Sequence, residues 1–329
     1  MNKLFKLLCV AAVVIFNPLS IRAAMKYSMR LDDTGKYYAE ATLFAPGVVP
    51  GTSNRCAAPA FSPDGKSVYF GMVKDKDITL VTSVFKNGAW TAPTPASFSG
   101  DFENLEPSFS PDGKFLVFAS NRPNTPGGQK LDGNWGKKTY PGNGGNLWKI
   151  NRTKTGWGEP ELLPNVINPN NSVFSPAVTA DGSIYFMIAD TSGRFHIHRS
   201  QYKNGKYEPA TRPSFSVDTY GDVDPAVAPD ESFLIFSSGR PPALPHTADL
   251  FIVFRTKNGW GEPTDLRTAI SDKVFGVEAR LSPDLRTLYY SNQRNAKGET
   301  VSTDQYIWRV DISKILTEHG IVINSTKSQ

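Results

Sequence analysis

Hydrophobic and polar positions along this chain alternate in short runs, and the runs repeat. Residues 58–72, 106–120, 175–189, 224–238 and 278–292 align with one another without gaps. Each begins with a short run such as Pro107-Ser108-Phe109. A turn follows, centred on Asp64, Asp112, Asp181, Asp230 or Asp284, and then an apolar run such as Phe115-Leu116-Val117-Phe118. Such runs of β-branched and aromatic residues predict strands. In the Ser-Pro-Asp-Gly turn, Pro presets one φ, Asp bonds back to the main chain and Gly accepts a positive φ. A third strand is predicted at Leu147–Ile150, Phe195–His198, Leu250–Val253 and Tyr306–Arg309. A second turn, Lys86-Asn87-Gly88 and its counterparts at 154–156, 203–205 and 257–259, leads into a fourth strand that opens with Trp90, Trp157, Tyr207 or Trp260.

The turn aspartates are 48, 69, 49 and 54 residues apart. A period near 50 built from four short strands predicts a radial β repeat, a β-propeller. The 69-residue interval contains an irregular Gly-, Asn-, Lys- and Pro-rich insertion at about 123–145. The fifth repeat lacks a fourth strand, and the segment from Asp33 to Phe44 resembles one. The expected fold is therefore all-β: a propeller of four-stranded blades, five in number, closed by an N-terminal strand that completes the last blade. Six blades, with a degenerate one from Met25 to Arg55, is the alternative. Ile312 to Ile323 reads as a short helix or a tail.

Composition changes the picture at the N-terminus. Lys3 and Lys6 precede an apolar run from Leu7 to Phe16, broken by Asn17-Pro18 and followed by Ile21-Arg22-Ala23. This is the layout of a secretory signal peptide over 1–24, too short to span a membrane. The rest, 25–329, reads as a single exported domain, periplasmic or secreted, with no membrane span. The formal charge of +5 falls to +2 without the three basic residues of that segment, which excludes a nucleic-acid footprint. One cysteine, Cys56, remains after cleavage, so no intrachain disulfide forms.

The Ser-Pro-Asp-Gly-Lys turn, with its apolar strand and a closing Ser-Asn-Arg (120–122) or Ser-Gly-Arg (238–240), resembles the TolB-type propeller repeat, related in architecture to WD-repeat propellers. The resemblance covers most of 57–311. It implies an exported propeller that binds other proteins, although the separate N-terminal α/β domain of TolB has no counterpart here. The repeat type also occurs in propellers attached to serine peptidases, whose Gly-x-Ser-x-Gly elbow is absent here, and in oligogalacturonate lyases with a histidine-rich metal site.

With strands labelled a to d, the a–b and c–d turns share one face, and the b–c and d–a connections share the other. Variable loops concentrate function, so the second face is the expected site. Glu106 and Arg122, Asp224 and Arg240, and Glu278 and Arg294 are each separated by 16 residues. Each acid starts strand a and each arginine ends strand b, which predicts three ion pairs around the channel mouth. Trp135 and Tyr140, in the insertion, are candidate contact aromatics. His196, His198 and His246 are read as packing or surface residues, and neither a metal nor a cofactor is expected. The sequence reading is a monomeric binding or scaffold module for a cell-envelope protein or glycan. A propeller glycoside hydrolase or polysaccharide lyase, using paired carboxylates, is the alternative.

Overall fold

The computed structural model describes residues 41–323, except 46–54, 75–76, 244–246, 272–273, 275 and 293–304. The expected signal segment, His246 and Arg294 lie outside the described residues.

Five small antiparallel sheets form the five blades. From the axis outward, blade 1 is Arg55–Phe61, Ser67–Lys74 and Asp77–Lys86, edged by Ala89–Trp90 and Thr94–Pro95. Blade 2 is Asn104–Phe109, Phe115–Ser120, Asn146–Asn151 and Glu161–Leu162. Blade 3 is Val173–Val178, Ile184–Ala189 and Phe195–Ser200, its fourth strand reduced to a bridge between Arg199 and Thr211. Blade 4 is Asp222–Val227, Phe233–Ser238 and Asp249–Thr256, edged by Gly259–Trp260 and Thr264–Asp265. Blade 5 is Val277–Leu281, Thr287–Asn292 and Tyr306–Asp311, and Thr42–Leu43 supplies its outer strand. The N-terminal strand thus completes the last blade, as the repeat arithmetic requires. A helix, Ser313–Glu318, follows the last strand.

Both faces of every blade are buried, so the alternation along a strand sorts side chains between two neighbours rather than between core and water. In blade 2, Leu116 and Phe118 enter the cluster shared with blade 1, and Val117 and Ala119 enter the cluster shared with blade 3. In blade 4, Leu234 and Phe236 face blade 3 while Phe233 and Ile235 face blade 5. Phe44, Tyr289 and Ile307 of blade 5 meet Phe61 and Phe70 of blade 1 and close the ring.

The tryptophans that open the fourth strands cap these seams. Trp157 of blade 2 donates from Nε1 to Tyr69 Oη of blade 1 at 2.9 Å, and Trp260 of blade 4 stands edge-on to Tyr185 of blade 3. The turn aspartates are structural as well. Each accepts the main-chain N–H two residues on, from Lys66, Lys114, Ser183, Ser232 or Arg286.

Candidate functional site

The innermost strand of every blade is interrupted at one place. The register slips between Ala57 and Ala60, Leu105 and Ser108, Phe174 and Ala177, Val223 and Ala226, and Val277 and Arg280. The residue that begins each slip, Ala58, Glu106, Ser175, Asp224 or Glu278, has φ between +51° and +58°. This is a β-bulge repeated around the ring. A bulge leaves a residue outside the ladder, and its buried N–H needs another acceptor.

Neighbouring blades supply that acceptor from the same position. Glu106 Oε2 accepts the Ser175 N–H at 2.7 Å. Ser175 Oγ donates to Asp224 Oδ1 at 3.0 Å, and Asp224 Oδ2 accepts the Glu278 N–H at 3.3 Å. Gln305 donates to Glu278 Oε2 at 2.9 Å. The three candidate acids therefore form a buried belt around the axis. Burial, reinforced by the Asp224 charge, pushes Glu106 and Glu278 up to about 8, and burial raises Asp224 as well.

Among the described residues the expected pairs Glu106–Arg122 and Asp224–Arg240 do not form, because the bulge turns each acid toward the neighbouring blade; the third, Glu278–Arg294, lies outside the described residues. The arginines reach two residues further back. Arg122 Nη2 donates to Asn104 Oδ1 at 3.0 Å and to the Phe98 carbonyl at 3.2 Å. Arg240 Nη2 meets Asp222 Oδ1 at 2.8 Å and the Phe215 carbonyl at 3.2 Å. Aromatic rings enclose both guanidinium groups: Phe102, Phe118 and Trp148 at 5.3–5.4 Å from Arg122, and Tyr220, Phe236 and Phe251 at 5.0–5.6 Å from Arg240. The repeated arginine locks strands a, b and c of its own blade together. The partner position held by Asn104 and Asp222 is Gly276 in blade 5, which has no side chain to offer.

The insertion contains a hairpin, Gly133–Trp135 against Lys138–Tyr140. Trp135 stacks on Tyr140 at 4.2 Å and stands edge-on to Phe174 and Phe195 of blade 3. The pair thus folds the hairpin onto blade 3. His196 is buried, with Nε2 3.1 Å from Asp190 Oδ2 and Nδ1 facing the Arg212 guanidinium at 2.9 Å. Accepting from Arg212 at Nδ1 places the imidazole proton on Nε2, toward Asp190. Burial pushes the Cys56 thiol up, away from a nucleophile's range. Among the described residues no group of three His, Cys, Asp or Glu side chains is placed to hold a metal ion.

An open concavity lies at the other end of the channel, on the a–b turn face. It is a funnel of about 200 Å³. Its wall is made of the ends of the five inner strands, with Pro59, Pro107, Pro176 and Pro225 beside Phe61, Phe109, Val227 and Leu281, and Ser108, Ser110 and Ser282 among them. Arg280 is the one charged residue in the lining. It is 6% exposed, and it donates to the Ala279 carbonyl at 2.7 Å and to Ser175 Oγ at 3.2 Å. Its charge favours the ionised forms of Glu106, Asp224 and Glu278 through space, without ion-pair contact among the described residues, and its Nε has no hydrogen-bond partner there. Sequence reasoning missed this residue. The signal was present: the aligned positions hold Ala60, Ser108, Ala177 and Ala226, so one blade alone places a long cation at a position otherwise kept small.

No protein-family model and no curated protein matches the chain. Solved structures do resemble it. An α-L-arabinofuranosidase from Podospora anserina, PaAbf62A, aligns with a TM-score of 0.50 at 12% identity, over 83% of this chain and 96% of that one. TolB from Acinetobacter baumannii aligns with a TM-score of 0.44 at 14% identity, over 78% of this chain and 54% of its own. The chain thus spans about half the length of that TolB. A gluconolactonase from Xanthomonas campestris aligns with a TM-score of 0.44 at 11% identity, over 83% and 94%. These likenesses concern the propeller fold alone.

Proposed function

We propose that this chain is an exported, non-catalytic binding module for a protein of the cell envelope, and that it meets its partner with the a–b turn face around the axial funnel. The observation that carries the reading is the division of labour along the axis. The three carboxyls that a hydrolase would need are enclosed and hydrogen-bonded to main-chain or side-chain groups of neighbouring blades, whereas the open concavity is lined mostly by apolar residues, with three serines and a single cation. A concave apolar site with few polar groups is the usual form of a binding site. The opposite face offers less, because Arg122, Arg240, Trp135 and Tyr140 are engaged in contacts within the ring.

The test places a photo-crosslinking residue at Pro283 on the funnel rim, and in a second protein at Thr139 on the hairpin, in the native cell. Adducts from position 283 and not from 139 are expected. Adducts from 139 alone would return the site to the loop face. Incubation with arabinoxylan, oligogalacturonate and peptidoglycan fragments should release no product. Product that disappears in Asp224→Asn would make the protein a hydrolase or lyase instead.

A further inference from the structure

Arg280 has more hydrogen-bonding capacity than the structure uses. A guanidinium carries five N–H groups, and two of these are engaged, by the Ala279 carbonyl and Ser175 Oγ. The group is nearly enclosed, and on the funnel side it is surrounded by prolines, Ala60, Ala177, Ala226 and Leu281, with Ser108, Ser110 and Ser282 as the other polar residues. A buried cation in such a place is costly unless an anion compensates it. The three axial carboxyls act on it through space, each being favoured in its ionised form by the Arg280 charge, but none is in ion-pair contact with it among the described residues. Their burial also holds them toward the uncharged form. What the guanidinium lacks is an anion in direct contact, and its Nε–H is unused.

The space defines its shape. About 200 Å³ accepts one small apolar residue with its terminal group, and the proline walls offer no N–H of their own. A lone small acid gains little from so few atoms. A chain that ends here could continue over the rim, past the exposed Pro63 and Pro283. We propose that the funnel binds the C-terminal carboxylate of a partner polypeptide whose last residue is small and apolar, with the carboxylate on Arg280 and the side chain among the prolines. This rests on the binding reading above and names the chemistry of that partner.

The experiment uses the full chain and a fluorescein-labelled hexapeptide of glycine and serine ending in valine, as the free acid and as the amide, with isovalerate as a third ligand. Anisotropy should give at least tenfold tighter binding for the acid than for the amide, and Arg280→Met should abolish the difference. Because that variant could fail to fold, its melting is compared with the wild type. The Nε–H resonance of Arg280 is also followed by NMR in the wild-type protein, where the acid should shift it and the amide should not. Equal affinity for acid and amide, no binding of either, or an unmoved Arg280 resonance overturns the proposal. Isovalerate binding as tightly as the peptide also overturns it, in favour of a small free acid. If the Pro283 crosslinks persist while the acid shows no advantage, this inference falls and the binding face stands. If the crosslinks move to the hairpin, the binding face falls as well.

Discussion

Arg240 and Arg280 sit in the same propeller and have opposite surroundings. Arg240 has an ion pair, a serine hydroxyl, a carbonyl and three aromatic faces. Arg280 has a carbonyl and a hydroxyl. The difference separates an arginine that completes a blade from one that waits for something else. Both would count as buried basic residues in a census, and only the contacts distinguish them. The repeat explains the contrast: Arg122 occupies the position of Arg240 in blade 2 with an equivalent set of contacts, whereas no other blade has an arginine at the position of Arg280.

The comparison can be broken by substitution. Arg240→Met should have the largest effect, because it strands the fully buried Asp222 carboxylate. About 3–5 kcal/mol of stability is expected to be lost in urea titrations. Next comes the acid belt. Glu106 and Glu278 titrate near 8 in the folded chain and near 4.5 in free carboxylates. Between those values the folded chain holds protons that the unfolded chain releases, so stability is full below pH 4.5 and declines as pH rises through 8. The melting temperature should drop by about 5–10 °C between pH 5 and pH 8.5, and Glu106→Gln with Glu278→Gln should flatten that slope. A slope that survives the double substitution would put the titration elsewhere. Arg122→Met should cost about 2 kcal/mol, less than Arg240→Met, since its partner Asn104 is uncharged and the loss is that of hydrogen bonds and ring contacts. Arg280→Met should cost less than about 1 kcal/mol, as a similar volume replaces a cation with no direct ion pair and the axial carboxyls it acts on are held toward their uncharged form by burial. A loss as large as that of Arg240→Met would make Arg280 a structural residue and erase the contrast.

Much of this fold was legible in the repeats. The turn aspartates, the blade boundaries and the closing strand follow from residue types with local mechanisms, such as Asp64 accepting the Lys66 N–H. The acid belt was half legible. Glu106, Asp224 and Glu278 stand out by alignment, but their direction depends on a bulge that alternation does not reveal. The bulge takes each acid out of reach of its arginine, which meets instead the residue two places before the acid, an 18-residue contact with Asn104 or Asp222. The funnel was not legible, because its walls are residues that also read as ordinary strand ends and turn prolines. The ends of the five inner strands form a concavity only when the ring is closed.

The closing strand has a consequence for how the molecule comes into being. Thr42 and Arg309 are paired across 267 residues of sequence. A ribosome adding roughly 5–20 residues per second reaches Arg309 roughly 15–50 s after Thr42. Over that interval Phe44 has neither Tyr289 nor Ile307 to pack on, and the seam between the first and last blades stays open to other chains. The seam that makes the ring continuous is therefore the last to be made, and chaperone demand should fall most heavily on nascent chains that end before Tyr306.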